Sequence, residues 1–129
     1  KKATGISLFG GNIYATVFSD NKVCCYKETG EPLWIFQHHD IDSPEGIAVD
    51  KHGFVYIISR GIDSIVVVSP DGKTCKTILS EADGINFPVA IDIHREKGMM
   101  IMSSKIKEIG GKNDDWAYKM YHTAFVYKI

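Results

Sequence analysis

The chain has 129 residues and lacks most features of a membrane or nucleic-acid-binding protein. No apolar run approaches the roughly 20 residues that a membrane-spanning helix needs, and no apolar stretch of a signal peptide follows Lys1-Lys2. Fifteen basic and sixteen acidic residues leave a formal charge of −1, which gives no overall attraction to nucleic acid or membranes. These absences predict a soluble protein with no membrane partner.

Cysteine is scarce, and its pattern argues against disulfides. Cys24, Cys25 and Cys75 cannot all pair within the chain, and the adjacent Cys24 and Cys25 would point to opposite faces of a strand. No Cys-x-x-Cys pair or Cys/His zinc spacing occurs. We therefore predict buried, reduced thiols and a cytoplasmic location.

Motifs for catalysis, phosphate binding and metal binding are also missing. The chain has no Gly-x-Ser-x-Gly elbow and no Walker loop, and its Gly10-Gly11 and Gly110-Gly111 pairs read as turn formers. The segment His38-His39-Asp40-x-Asp42 contains metal-binding residue types, but neighbours in an extended link rarely converge on one ion. Since no distant ligand is evident, we predict a solvated loop, no metal, no cofactor, no catalytic residue and no enzymatic activity.

What the chain does contain is an internal repeat of about forty residues. The clearest copy starts at Pro44-Glu45-Gly46-Ile47-Ala48-Val49-Asp50, and a second copy starts 44 residues later at Pro88. An earlier copy opens at Gly5-Ile6-Ser7-Leu8. Each copy consists of short segments rich in Val, Ile, Tyr and Phe, bounded by Gly, Pro and Asp, which favours strands separated by tight turns. This period, filled with short strands, is typical of β-propeller blades.

The repeat predicts an all-β fold of about three four-stranded antiparallel blades, covering residues 3–42, 43–86 and 87–129. The predicted strands are 6–8, 12–17, 22–26 and 33–36, then 47–49, 55–59, 65–68 and 75–79, and finally 90–94, 99–103 and 123–128. The last blade thus lacks its outer strand. Because closed propellers have about four to eight blades, three blades predict either the C-terminal half of a longer propeller or two copies forming about six blades.

The second copy resembles an NHL repeat. The resemblance lies in Pro44-Glu45-Gly46-Ile47-Ala48-Val49-Asp50, in Gly53-Phe54-Val55-Tyr56 and in Ile65-Val66-Val67-Val68-Ser69-Pro70-Asp71-Gly72. The ending Phe125-Val126-Tyr127-Lys128-Ile129 is similar to the C-terminus of NHL propellers in invertebrate tripartite-motif proteins. The resemblance implies an NHL-type propeller that serves as the recognition module of a ubiquitin ligase.

One face of such a propeller is expected to collect the links between blades and the turns between second and third strands. Loops on a rigid scaffold are the usual place of binding residues. Residues 104–122 stand out, because they predict a nineteen-residue loop where the second blade has only residues 60–63. The predicted partner-binding residues on this face are Arg60, Asp63, Lys105, Lys107, Trp116, Tyr118, Lys119 and Tyr121.

Aromatic and basic residues in these loops suit two kinds of ligand. Large rings anchor protein interfaces, and rings with cations also stack and clamp single-stranded RNA. The small net charge favours a protein partner, because phosphate contacts supply much of nucleic-acid affinity. We therefore predict a protein-recognition module. The alternatives are an RNA-binding NHL propeller and a metal-dependent lactonase or lyase propeller, of which three blades would hold only part of the site.

Overall fold

The chain folds into β-strands joined by short turns. The computed structural model describes residues 2–109 and 118–129, with the backbone alone for 106–109 and 118–123. The strands are β1 (Gly5–Phe9), β2 (Asn12–Val17), β3 (Lys22–Lys27), β4 (Pro32–Gln37), β5 (Pro44–Val49), β6 (Val55–Ser59), β7 (Ser64–Val68), β8 (Cys75–Leu79), β9 (Ile91–His94), β10 (Met99–Ile109) and β11 (Tyr118–Lys128). Single 3-10 turns occur at Phe18–Asp20, Arg60–Ile62 and Glu81–Asp83. In the part of the chain that the structure describes, no helix has the length and apolar character needed to cross a membrane.

The strands form three antiparallel sheets in chain order. Sheet 1 contains β1 to β4, sheet 2 contains β5 to β8, and sheet 3 contains β9 to β11. Each strand pairs with the next strand of its own sheet, as the repeat predicts. The all-β fold with a last sheet of three strands is confirmed. Within residues 2–109 and 118–129, no strand pairs with the outer edge of β11.

Sheet 2 lies between the other two sheets and is covered on both faces. On β6, Val55 and Ile57 belong to the core shared with sheet 1, whereas Tyr56 and Ile58 belong to the core shared with sheet 3. This alternation follows from the period of two of a strand. It explains why β6 and β7 are apolar at almost every position, since neither face meets water.

The predicted nineteen-residue loop at 104–122 is wrong, because strands β10 and β11 extend through much of it. Lys105 is paired with His122, and the ladder continues to the pair of Ile109 and Tyr118. The alternation of Lys and Ile along 105–109 is compatible with a strand, and pairing of the two arms satisfies their backbone hydrogen-bonding groups. Residues 110–117, including the predicted turn former Gly110-Gly111, lie outside the described residues.

A close contact between sheets 1 and 2 depends on one glycine. Gly72 has a φ of +70° and lies against the indole of Trp34, where a Cβ atom would overlap the ring. The Trp34 Nε1 donates a hydrogen bond to the carbonyl oxygen of Pro70 at 3.2 Å. Gly30 also has a positive φ, of +91°, but a Cβ atom there would meet open space.

This pair of glycines gives a matched test of the contact. Both Gly72→Ala and Gly30→Ala place a side chain in the left-handed region, and each should lose about 1 kcal/mol of unfolding free energy for that reason. Gly72→Ala should lose about 1–3 kcal/mol more, because it also displaces Trp34. Urea unfolding of both variants measures the difference. Equal losses would show that Trp34 does not pack on Gly72.

Tyr56 connects the core to an ionisable group. Its hydroxyl donates a hydrogen bond to Asp50 Oδ2 at 3.1 Å, and the side chain is buried between sheets 2 and 3. Burial, together with the negative charge of Asp50, raises the pKa of Tyr56 to about 12. In the unfolded chain the tyrosine pKa is about 10.

Stability should therefore fall at alkaline pH. Below pH 10 the Tyr56 hydroxyl is protonated in both states, so its full contribution is present. Between pH 10 and 12 the unfolded chain loses this proton before the folded chain does, which removes about 2–3 kcal/mol of unfolding free energy. Urea unfolding from pH 9 to 12 should show a smaller loss for Tyr56→Phe than for the wild type. Parallel losses in the two proteins would contradict the assignment.

Candidate functional site

The turns between second and third strands are joined to the start of the next sheet by a repeated hydrogen bond. Asn21 and Asp63 end the 3-10 turns of sheets 1 and 2 in the left-handed conformation, with φ of 51° and 47°. The Asn21 Oδ1 accepts a hydrogen bond from the backbone N–H of Ser43, and the Asp63 Oδ1 accepts one from that of Phe87, both at 2.8 Å. Ser43 and Phe87 also have positive φ values, of 50° and 49°. The repeat therefore brings turn and link together on one face, which we name the loop face.

Buried serine hydroxyls hold the same links from below. Ser59 Oγ accepts a hydrogen bond from the backbone N–H of Asp42 at 2.8 Å and donates one to the carbonyl oxygen of Asp40 at 2.6 Å. Ser104 Oγ accepts from the N–H of Asn86 at 2.9 Å and donates to its carbonyl oxygen at 2.8 Å. Both serines are fully buried. The loop face thus rests on backbone positions that are fixed by the core.

Two cations converge on one exposed ring in this face. The Arg60 guanidinium carbon lies 4.0 Å from the centroid of the Phe87 ring, and the Lys105 Nζ lies 4.2 Å from it. The Arg60 Nη1 also donates to Glu45 Oε1 at 2.9 Å. We name Arg60, Phe87 and Lys105, with the supporting Asp63 and Glu45, the Phe87 cluster.

The Phe87 cluster has the properties of a binding site. Phe87 is 37% exposed, and a bulky residue with positive φ is rare, so its conformation requires support from its surroundings. That support is the hydrogen bond to Asp63. A ring held in this way, with two cations at its surface and one carboxylate beside them, can contact an apolar group and attract an anionic one at the same time.

The structure brings together three of the predicted partner-binding residues. Arg60, Asp63 and Lys105 all belong to the Phe87 cluster. Lys107 and Lys119 lie on paired backbone of β10 and β11, where their side chains are not described, and the same holds for Tyr118 and Tyr121. Trp116 lies outside the described residues.

Sequence reasoning missed Phe87 and Glu45. A signal for Phe87 was present, because Phe87-Pro88 occupies the repeat position of Ser43-Pro44, where a large ring replaces a small polar side chain. No comparable signal identified Glu45, whose pairing with Arg60 depends on the turn of sheet 2 folding over its own first strand.

Asp63 should be replaceable by asparagine but not by alanine. Asp63→Ala removes the acceptor for the Phe87 N–H and should reduce the unfolding free energy by about 1–2 kcal/mol. Asp63→Asn should keep most of the stability, because Asn21 makes the equivalent bond in sheet 1. Thermal and urea unfolding of both variants check this, and equal destabilisation would exclude the proposed support of Phe87.

A second concave surface lies beside the open edge of sheet 3. This groove of about 490 Å³ runs between the outer strands of sheets 2 and 3, and Ile78, Leu79 and Tyr127 contribute to its apolar lining. Its place is where a fourth strand of sheet 3 would add. The groove therefore relates to completion of the sheet, whereas the Phe87 cluster lies on the loop face.

Comparison with known proteins identifies the fold. No family profile and no curated protein sequence matches the chain. Solved structures do match: a chain of a nidogen/laminin complex (TM-score 0.70, 22% identity over 81% of this chain and 42% of that one) and virginiamycin B lyase from Staphylococcus aureus (TM-score 0.65, 16% identity over 98% and 41%). Both are β-propeller proteins. The fold is a partial β-propeller.

A further similar structure is hydrazine synthase of Kuenenia stuttgartiensis, with a TM-score of 0.69 and 19% identity over 81% of this chain and 31% of that one. The chain thus spans less than half of the length of these solved chains. At such identities the likeness defines the fold and carries no activity with it. The three sheets described above are consecutive blades of a propeller, as the repeat predicts.

Proposed function

We propose that the chain is a non-catalytic protein-recognition module that binds an acidic segment of a protein partner at the Phe87 cluster. The observation that carries this proposal is the convergence of Arg60 and Lys105 on the exposed Phe87 ring. An aromatic anchor with adjacent arginine is the composition found at the centre of protein interfaces. A propeller in a nidogen/laminin complex supports the use of this fold for binding proteins.

The resemblance to NHL repeats supports a more specific setting. In that setting the chain is the partner-binding propeller of a tripartite-motif-like ubiquitin ligase in the cytoplasm. The ligase chemistry would belong to other parts of the parent protein, and this chain would select the substrate. The resemblance supports this context, whereas the Phe87 cluster supports the binding mode.

Single-stranded RNA is the second candidate ligand, and the same cluster favours it. A ring next to two cations can stack on a base while the cations contact phosphates. The protein partner is favoured because the chain carries a net charge of −1, whereas RNA binding gains much of its affinity from many phosphate contacts. A lyase among the similar structures keeps catalysis as a weaker candidate.

Fluorescence anisotropy with two probes distinguishes these ligands. One probe is a labelled pool of short Asp- and Glu-rich peptides, and the other is oligouridine of equal charge. We expect the peptides to bind and the RNA to bind more weakly. Tighter RNA binding with a steep loss of affinity in salt would support the RNA candidate instead.

Variants of the Phe87 cluster locate the binding. Phe87→Ser adopts the residue that sheet 1 uses at this position, and it should weaken peptide binding about tenfold, or about 1.4 kcal/mol. Arg60→Gln and Lys105→Gln should have similar effects. Lys51→Gln, in the exposed turn between β5 and β6, is the matched control and should bind normally. If all four variants bind peptide as the wild type does, the site is misplaced.

A further inference from the structure

Three metal-ligating side chains from distant parts of the sequence meet beside the link between sheets 1 and 2. His38 and Asp40 belong to the link after β4, and Cys75 begins β8. One donor atom from each, an imidazole nitrogen, a carboxylate oxygen and the thiol sulfur, lies within 4.8 Å of the other two. Among the residues that the structure describes, this is the one group of three such donors. Cys75 is the distant ligand that the His-His-Asp segment lacks when read as sequence alone.

The donor set matches the preference of zinc. Zinc binds thiolate, imidazole and carboxylate at roughly 2.0–2.3 Å, so tetrahedral ligand atoms lie roughly 3.3–3.8 Å apart. Donors within 4.8 Å of one another reach that spacing by small side-chain rotations. Magnesium and calcium prefer oxygen ligands alone, and the mixed nitrogen and sulfur donors disfavour them.

Neighbouring contacts hold the imidazole in a usable form. The His38 Nδ1 accepts a hydrogen bond from the backbone N–H of Asp40 at 3.1 Å, so this nitrogen presents a lone pair that a metal can take over. The Phe36 ring stacks on His38 with a centroid distance of 5.9 Å and an angle of 11°. On the other side, the carbonyl oxygen of Asp40 accepts the Ser59 hydroxyl, which fixes the link. Such outer contacts orient metal ligands in proteins.

We propose that His38, Asp40 and Cys75 form a zinc site that fastens the link between sheets 1 and 2 to the outer strand of sheet 2. Binding converts the Cys75 thiol to thiolate and releases its proton to solvent. Three protein ligands leave a fourth position for water or for a ligand from a partner. The site is separate from the Phe87 cluster and does not depend on the proposed recognition function.

Cobalt substitution tests the site on the reduced full chain. Titration with Co²⁺ should give one equivalent of bound metal with a thiolate-to-cobalt charge-transfer band, and Zn²⁺ should displace it. Cys75→Ser should abolish the band and lower Zn²⁺ affinity at least about tenfold. Asp40→Asn should lower affinity without removing the band. His52→Gln changes an exposed histidine outside the group and should bind as the wild type does.

Two results would overturn the proposal. One is the absence of a thiolate band at one equivalent of Co²⁺. The other is a band that persists in Cys75→Ser, since the remaining Cys24 and Cys25 would then be its source. Circular dichroism of Cys75→Ser separates loss of the site from loss of the fold. If that variant is unfolded, unchanged Zn²⁺ affinity in Asp40→Asn and in His38→Gln would overturn the proposal.

Discussion

Replacing Ile6 and Leu8 with aspartate should convert the isolated chain from a self-associated form into a monomer of 14.4 kDa. Both side chains lie on the face of sheet 1 that points away from sheet 2, and both are 65% exposed. The equivalent positions of the next repeat, Ile47 and Val49, are 7% and 1% exposed because sheet 1 covers them. The outer face of sheet 1 thus has the composition of a surface that packs against another sheet.

In the isolated chain we expect a second copy to cover this face, with its sheet 3 packed against sheet 1. Two copies supply six sheets, within the range of about four to eight found in closed propellers. Exposed apolar patches of this kind mark interaction surfaces. In a longer protein, further blades of the same chain would take the place of the second copy.

Sedimentation equilibrium measures this directly. The wild type should show a mass of a dimer at micromolar concentration, and the Ile6→Asp/Leu8→Asp variant should show the monomer mass. Ile62→Asp is the control, because Ile62 is also exposed but lies in a turn outside the sheet face. A stable wild-type monomer would contradict the expected packing of sheet 1 against a second copy.

The second large effect concerns the core between sheets 1 and 2. Ile57 is fully buried there, at the middle of β6. Ile57→Ala should lower the unfolding free energy by about 2–5 kcal/mol, because it removes buried methylenes and leaves a cavity that close-packed sheets cannot fill. This is a large fraction of the stability of an ordinary domain.

Ile62→Ala is the matched control, since it makes the same chemical change in an exposed turn, and it should cost less than about 1 kcal/mol. Urea unfolding at a fixed protein concentration compares the two variants, because association contributes equally to both. A small loss for Ile57→Ala would mean that sheets 1 and 2 do not pack face to face.

The strands could be predicted from the sequence because each repeat carries the same local signals. The β-branched run of β7 and the Pro70-Asp71-Gly72 turn require a strand and a reversal whatever surrounds them. The lengths of β10 and β11 could not be predicted in this way. Sheet 2 suggested a short turn at the equivalent place, and only pairing between the two arms shows that both continue as strands.

The candidate site was predictable in part, for a similar reason. The repeat placed Arg60 and Asp63 in a turn of the loop face. The approach of Lys105 and Phe87 to Arg60 depends on how sheet 3 docks on sheet 2, which no local signal specifies. The same holds for Cys75, which meets His38 and Asp40 only through the packing of sheets 1 and 2.

The position of the partner on the propeller is the central claim, and amide chemical-shift mapping tests it most directly. The isotope-labelled chain would be titrated with the acidic peptide pool. Shifts should concentrate at Arg60–Ile62, Asp63, Phe87 and Lys105, on the loop face. Shifts that concentrate instead at the turns around Gly10 and Gly30, on the opposite side of sheet 1, would contradict recognition by the Phe87 cluster.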